Sequence, residues 1–327
     1  MSMEIRPRIP NGYRCSMVIT FDTDMAGGYA PDGVCHGRTA PFLKEHILQL
    51  CSIAEEFNVR LQFFQIANGL EESEDISYLQ EILRRGHAVD CHTYNHVNLA
   101  HTPPQVLDDD LARATHLFVS RLGIQPGAIR GPGGYRRGEL SQQNQSILLK
   151  HGYRWVSGEV DYDLPIRDES YWISSPARGL PYQLETGLVE IPIQGWTDRM
   201  WFDHFKCVDA EAYIKWRREW GHKAVGDDWR CPWTADEALD EWVRMNLATL
   251  DYAYEHRLSW VICWHPYSHY LHDRKHRMLR ALLEAACSKP ERVWVCSLRD
   301  YISCLESSRW NRERKQLSLG GVGLSWT

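Results

Sequence analysis

The chain has 327 residues, 43% hydrophobic and 24% charged, with a formal net charge of −6. That is globular composition, and it excludes a disordered, collagenous or coiled-coil chain. No apolar run approaches the roughly 20 residues of a membrane helix, and the acidic balance gives no footprint for nucleic acid. Ten cysteines are scattered without a Cys-x-x-Cys pair, and the first residues hold no apolar stretch of signal-peptide length. Both observations predict a reduced, cytoplasmic setting.

Apolar, β-branched or aromatic runs recur at 16–21, 59–66, 87–91, 127–130, 153–157, 188–193, 259–264 and 292–297. Helical patterns lie between many of them. The first runs from Thr39 to Phe57, with Leu43, Ile47, Leu50 and Ala54 at helix spacing; the next covers Ile76–Arg85 and stops at Gly86. A third follows Thr102, with Pro103 as its first helical residue and Gly123 past its end. A fourth precedes Gly152, and Thr234 with Glu237 forms a capping box for a helix reaching His256. Strands alternating with helices predict α/β architecture with a mainly parallel sheet. Seven to eight strands suit a (β/α) barrel, and an open doubly wound sheet fits nearly as well. No linker or repeat divides residues 1–327, which predicts a single domain. Within it, about 195–250 is long and rich in tryptophan (Trp196, Trp201, Trp216, Trp220, Trp229, Trp233, Trp242). That stretch predicts a helical insertion, packed by its own aromatics or serving as a lid over a ligand.

Polar residues fall where such folds do chemistry, at the carboxyl ends of the strands. Asp22 and Asp24 follow the first run, His92 and His96 the third, Arg130 the fourth, Asp161 and Asp163 the fifth, and His265 the seventh. Asp24, His92 and His96 are a carboxylate and two imidazoles. That set suits Zn²⁺, or Co²⁺, Ni²⁺, Mn²⁺ or Fe²⁺, with positions left for water and substrate. A metal-bound water is acidified toward neutrality. Asp22 is placed to accept its proton, and Arg130 to pair with Asp22 and keep it ionised. His265 is the candidate general acid, and Asp163 is expected to orient His265 or Arg130. Spacing alone is weak evidence, because composition predicts about 0.7 His-x-x-x-His pairs by chance. Three occur: His92/His96, His265/His269 and His272/His276. The run from His265 to His276 is therefore a rival metal site. His87, Cys91 and Cys263 read as packing residues, and Asp108–Asp110 as an acidic first turn of a helix.

With these residues in place the chain resembles the polysaccharide deacetylase (NodB-like) family from about Val18 to Tyr301. The branch it is most similar to holds intracellular peptidoglycan-deacetylase-like proteins and cyclic imidases. Its acidic motif is Phe21-Asp22-Thr23-Asp24, with a one-residue gap between the aspartates where many members have them adjacent. His92-Thr93-Tyr94-Asn95-His96 meets the H-[ST]-x-x-H motif, and Arg130-Gly131-Pro132-Gly133-Gly134 meets R-x-P-x-G. Asp163-Leu164-Pro165 is a loose match to the fourth motif, and Val261-Ile262-Cys263-Trp264-His265-Pro266 meets the fifth. The Gly-Arg that often follows His-Pro in this branch is missing, and the Met25–Arg38 loop is atypical.

The resemblance implies a distorted (β/α) barrel and hydrolysis of an amide, usually N-acetyl. Asp22 matches the base, and Asp24, His92 and His96 match the metal ligands. The expected substrate is an amino sugar, soluble or carrier-linked, or a small N-acyl metabolite. A homo-oligomer is mildly favoured by the same analogy. Three other readings compete: a cyclic-amide hydrolase of the imidase or allantoinase type, metal-independent or not; a non-catalytic carbohydrate or metal binder; and a non-haem Fe(II) oxygenase, against which the βα pattern speaks.

Overall fold

The computed structural model describes residues 3–5, 9–23, 37–71, 73–160, 179–195, 197–198, 202 and 235–307. Strands β1 (Met3–Glu4), β2 (Tyr13–Asp22), β3 (Gln62–Gln65), β4 (Ala88–Cys91) and β5 (Ala128–Ile129) precede β6 (Trp155–Val156), β7 (Tyr182–Gln183), β8 (Val189–Glu190), β9 (Ser259–Trp264) and β10 (Arg292–Cys296). They form one sheet in the order β1-β7-β8-β6-β5-β4-β3-β2-β10, with β9 also paired to β2. β7 pairs antiparallel with both β1 and β8, and the other pairs are parallel. Those eight parallel strands coincide with the eight apolar runs of the sequence. β9 takes one edge of β2 (residues 16–21). β10 and β3 share the other, opposite residues 13–18 and 20–22. Just past β8, the Gln194 N–H donates to the Val261 carbonyl of β9 at 3.0 Å, so the sheet curls back on itself. This is the distorted (β/α) barrel.

Helices α1 (Pro41–Glu56), α2 (Ser73–Arg84), α3 (Pro104–Leu117), α4 (Gln142–Lys150), α5 (Ala235–His256), α6 (Pro266–His272) and α7 (Arg277–Ser288) are joined by a last helix, α8, at 298–307. α3 begins one residue later than expected: Pro103 is its N-cap and Pro104 its first residue. A π turn over Phe118–Leu122 extends it, and Gly123 stops it at φ +69°, a left-handed conformation that glycine adopts without steric cost. Thr234 of the expected capping box, and the Trp-rich stretch 203–234, lie outside the described residues. The C-terminal part of the 195–250 segment is the first 16 of the 22 residues of α5, whose Trp242 is buried.

Strand alternation sorts the side chains into two layers. Met17, Ile19 and Phe21 of β2 join the large core under the helices, with Phe63, Val89, Ile129, Val156, Ile262 and Trp264. Val18, Phe64, Ala128, Trp155, Val189 and Val261 fill the barrel. Full burial of one such side chain stabilises by roughly 1.5–3 kcal/mol. No described helix is long and apolar enough to cross a membrane.

Candidate active site

The same alternation carries polar residues up the inside of the barrel. Thr20 and Asp22 follow Val18, Arg130 follows Ala128, Ser157 follows Trp155, and Cys263 and His265 follow Val261, each in steps of two. All six are at least nine-tenths buried at the carboxyl end of the sheet.

Arg130 is the hub. Its Nη1 lies 3.4 Å from Asp22 Oδ1, and its Nη2 donates to Thr20 Oγ1 at 2.9 Å and Ser157 Oγ at 3.1 Å. The guanidinium also lies over the Phe64 ring, 4.6 Å from its centre. Burial pushes the Asp22 carboxyl upward in pKa. Arg130, His92, His265 and the Cys263 thiol together outweigh it and hold Asp22 below the usual carboxylate range. Asp22 is thus a buried, ionised carboxylate, kept so by its neighbours.

His92 stands at the end of β4. Its Nδ1–H donates to the Arg130 carbonyl at 2.9 Å, which fixes the tautomer and turns Nε2 toward the barrel mouth, 3.9 Å from Asp22 Oδ2. Burial lowers its pKa to about 4, so the ring is neutral at pH 7 and carries a lone pair. The His96 ring centre lies 4.9 Å from that of His92. The connecting turn is held in unusual backbone: Thr93 and His96 have φ +63° and +57°, conformations that cost non-glycine residues of order 1–3 kcal/mol and cluster at functional sites. Asp110 of α3 anchors this turn, accepting the Tyr94 and Asn95 N–H groups at 2.7 and 2.8 Å. This corrects the reading of Asp110 as an acidic first-turn residue, since it lies six residues beyond Pro104. Asp108 instead pairs with Lys150 and His151.

His265 caps α6. Its Nδ1 is 2.7 Å from Asp198 Oδ1, while its backbone N–H donates to Asp198 Oδ2 at 2.8 Å. Burial pushes the Asp198 carboxyl upward in pKa, but the His265 and His269 imidazoles hold it below its usual range. Asp24 and Asp163 lie outside the described residues. Among those described, it is Asp198 that orients His265. The sequence carried one signal for Asp198: it closely follows the sixth apolar run, at the same end of the sheet.

Two sequence readings change. Cys263 is not inert packing: its thiol donates to Asp22 Oδ2 at 3.3 Å, one alternation step below His265. The rival histidines do not converge on one point. His269 packs against Phe21 and Trp264, His272 stacks on Phe202, and His46 stacks on His276. Among the described residues, one trio of donor side chains does converge: donor atoms of Asp22, Cys263 and His265 lie within 4.8 Å of one another.

Residues 13–156 match the family model of polysaccharide deacetylases. Over that part the chain is similar to polysaccharide deacetylases. No curated protein matches it. Solved structures share its fold. One, from Mycobacterium smegmatis and described as a polysaccharide deacetylase, is 19% identical with TM-score 0.59, over 94% of this chain and 96% of that one. Another so described, from Pseudomonas aeruginosa, is 15% identical with TM-score 0.56, over 93% of each chain. The allantoinase Puue is 13% identical with TM-score 0.55, over 91% of this chain and 92% of that one.

The donor set fits a divalent metal. His92 offers a neutral, tautomer-fixed imidazole beside His96, and an ionised carboxylate stands within 4 Å of it.

Proposed function

We propose that this protein is a divalent-metal-dependent hydrolase of a C–N amide bond, removing the acyl group from an amino sugar or a small N-acyl metabolite. One observation carries the reading. An ionised acceptor, Asp22 held by Arg130, and an oriented imidazole, His265 held by Asp198, face one another across the same barrel mouth.

His92 and His96 would hold the ion, with Asp24 as the third donor that the sequence pattern supplies. Zn²⁺ suits this set best, and the bound ion would supply an acidified water and polarise the carbonyl. Asp22, ionised at neutral pH, takes the proton of the attacking water. Arg130 fixes the carboxylate in place and keeps it charged. His265 gives a proton to the departing nitrogen. Asp198 holds His265 Nδ1, so Nε2 is the nitrogen that serves as acid. Two carboxylate environments thus do two jobs, accepting one proton and orienting the group that delivers another.

The test is release of free carboxylic acid and amine from a panel of N-acyl amides, by the metal-loaded wild type and by Asp22→Asn. The reading expects turnover that falls about 10²–10⁴-fold in the variant. Equal turnover in both proteins would refute it. A second reading, hydrolysis of a cyclic amide, is motivated by the fold shared with an allantoinase. Ring opening yields one product carrying a new carboxylate, whereas deacylation yields two molecules, so product analysis separates them.

A further inference from the structure

The thiol of Cys263 neither takes nor gives a proton in the proposed hydrolysis, yet it donates to Asp22 at the heart of the site. Three donors of different chemistry, a carboxylate, a thiol and an imidazole, converge within 4.8 Å, and all three are buried. Thiolate with imidazole and carboxylate is a ligand set of borderline and soft cations, Zn²⁺ first among them. Each donor is prepared for such an ion. Asp22 is ionised. The His265 ring is fixed at Nδ1 by Asp198, so a metal would be taken by Nε2. The Cys263 thiol already points at Asp22 Oδ2, the oxygen that also faces His92.

We propose that Asp22, Cys263 and His265 form a second cation site, separate from the His92/His96 donors, that takes a thiophilic divalent ion of the zinc type. Binding is an exchange of a proton for the metal: the Cys263 S–H bond breaks, the S–metal bond forms, and one proton leaves to solvent for each ion bound. Occupancy ties up both the proton acceptor and the proton donor, so excess zinc would inhibit turnover. That consequence rests on the proposed hydrolysis, whereas the binding itself does not.

The experiment is a titration of metal-free protein with Co²⁺, followed by near-ultraviolet absorption and by proton release to an indicator dye. Wild type is expected to develop a thiolate-to-cobalt charge-transfer band and to release about one proton more per chain than Cys263→Ser. The band is expected to vanish in Cys263→Ser and to persist in His96→Ala, with circular dichroism confirming that both variants are folded. No band at saturating Co²⁺ would overturn the proposal, as would a band undiminished in Cys263→Ser. A band lost in both variants would also overturn it, by showing one mixed site in place of two. The hydrolysis could fail on every amide tested while this band appears, and the reverse, so the two readings stand or fall separately.

Discussion

Asp198 grips His265 with both carboxylate oxygens, Oδ1 at 2.7 Å from the ring Nδ1 and Oδ2 at 2.8 Å from the backbone N–H. A carboxylate behind a histidine fixes its tautomer and stabilises its protonated form. Asp198→Asn keeps the shape and removes the charge. We expect kcat to fall about 10²–10⁴-fold with KM little changed, as for loss of a general-acid function. The alkaline limb of the kcat profile should move to lower pH, because the lost charge favoured the imidazolium. Steady-state kinetics across pH would measure both effects, and an unmoved profile would leave Asp198 a purely structural role.

Arg130 and Asp22 form a buried pair, both at least nine-tenths inaccessible. Breaking such a pair from one side leaves an uncompensated charge and costs about 3–5 kcal/mol. Arg130→Met should therefore lower the chemical-denaturation midpoint strongly. Arg130→Lys should rescue little, since a single ammonium cannot reach Asp22, Thr20 and Ser157 together. The double variant Arg130→Met with Asp22→Asn should regain part of the loss. No recovery in the double variant would mean that Arg130 stabilises by packing on Phe64 rather than by pairing.

Much of this site was legible because β-strands alternate. Val18-x-Thr20-x-Asp22 and Val261-x-Cys263-x-His265 each read as one face, and both faces turned out to line the barrel. Arg130 could be placed by the same step from Ala128. The alternation also contained Cys263, which was set aside because a thiol in an apolar strand usually packs. Asp198 was missed for a physical reason. It follows β8 by eight residues, at a helical position beyond the regular strand, where strand alternation no longer reports where a carboxylate points. Asp110 was missed because helix position suggests a solvent-facing acid, while its partners lie in the turn at 94–95. The rival histidines do not share one helix face: His265 and His276 are the N-caps of α6 and α7, while His269 and His272 lie within α6.

Asp110 ties down the turn between His92 and His96. Asp110→Ala removes the acceptor for two backbone N–H groups. We expect metal affinity to fall about 10–100-fold, the usual effect of losing a group that orients ligands. Asp110→Asn, which keeps one acceptor oxygen, should fall between. Isothermal titration with Zn²⁺ would measure this, and wild-type affinity in the alanine variant would show that the turn holds itself.

Buried histidines should set the acid stability. Burial lowers His46 to about 2 and His269 and His276 each to about 4. The unfolded chain binds these protons near pH 6.5 and the folded chain does not. Their contribution is thus fully present above about pH 6.5 and is lost as pH falls toward 4, at up to about 1.4 kcal/mol per pH unit per histidine. Glu190 opposes them. Burial raises its carboxyl to about 7, so its contribution is present below about pH 4.5 and is lost as pH rises through 7. His92, also lowered to about 4, adds to them in the metal-free protein, and four histidines against one carboxylate predict a net fall in the urea midpoint between pH 6.5 and 4.5, smaller in His46→Leu. A midpoint flat over that range would contradict the burial of these rings.

Metal content per chain tests the central claim most directly, measured by elemental analysis after dialysis into metal-free buffer for wild type and His96→Ala. The account predicts about one divalent ion more per chain retained in the wild type than in the variant. Equal metal in the two proteins, or none taken up by the wild type on titration, would contradict it.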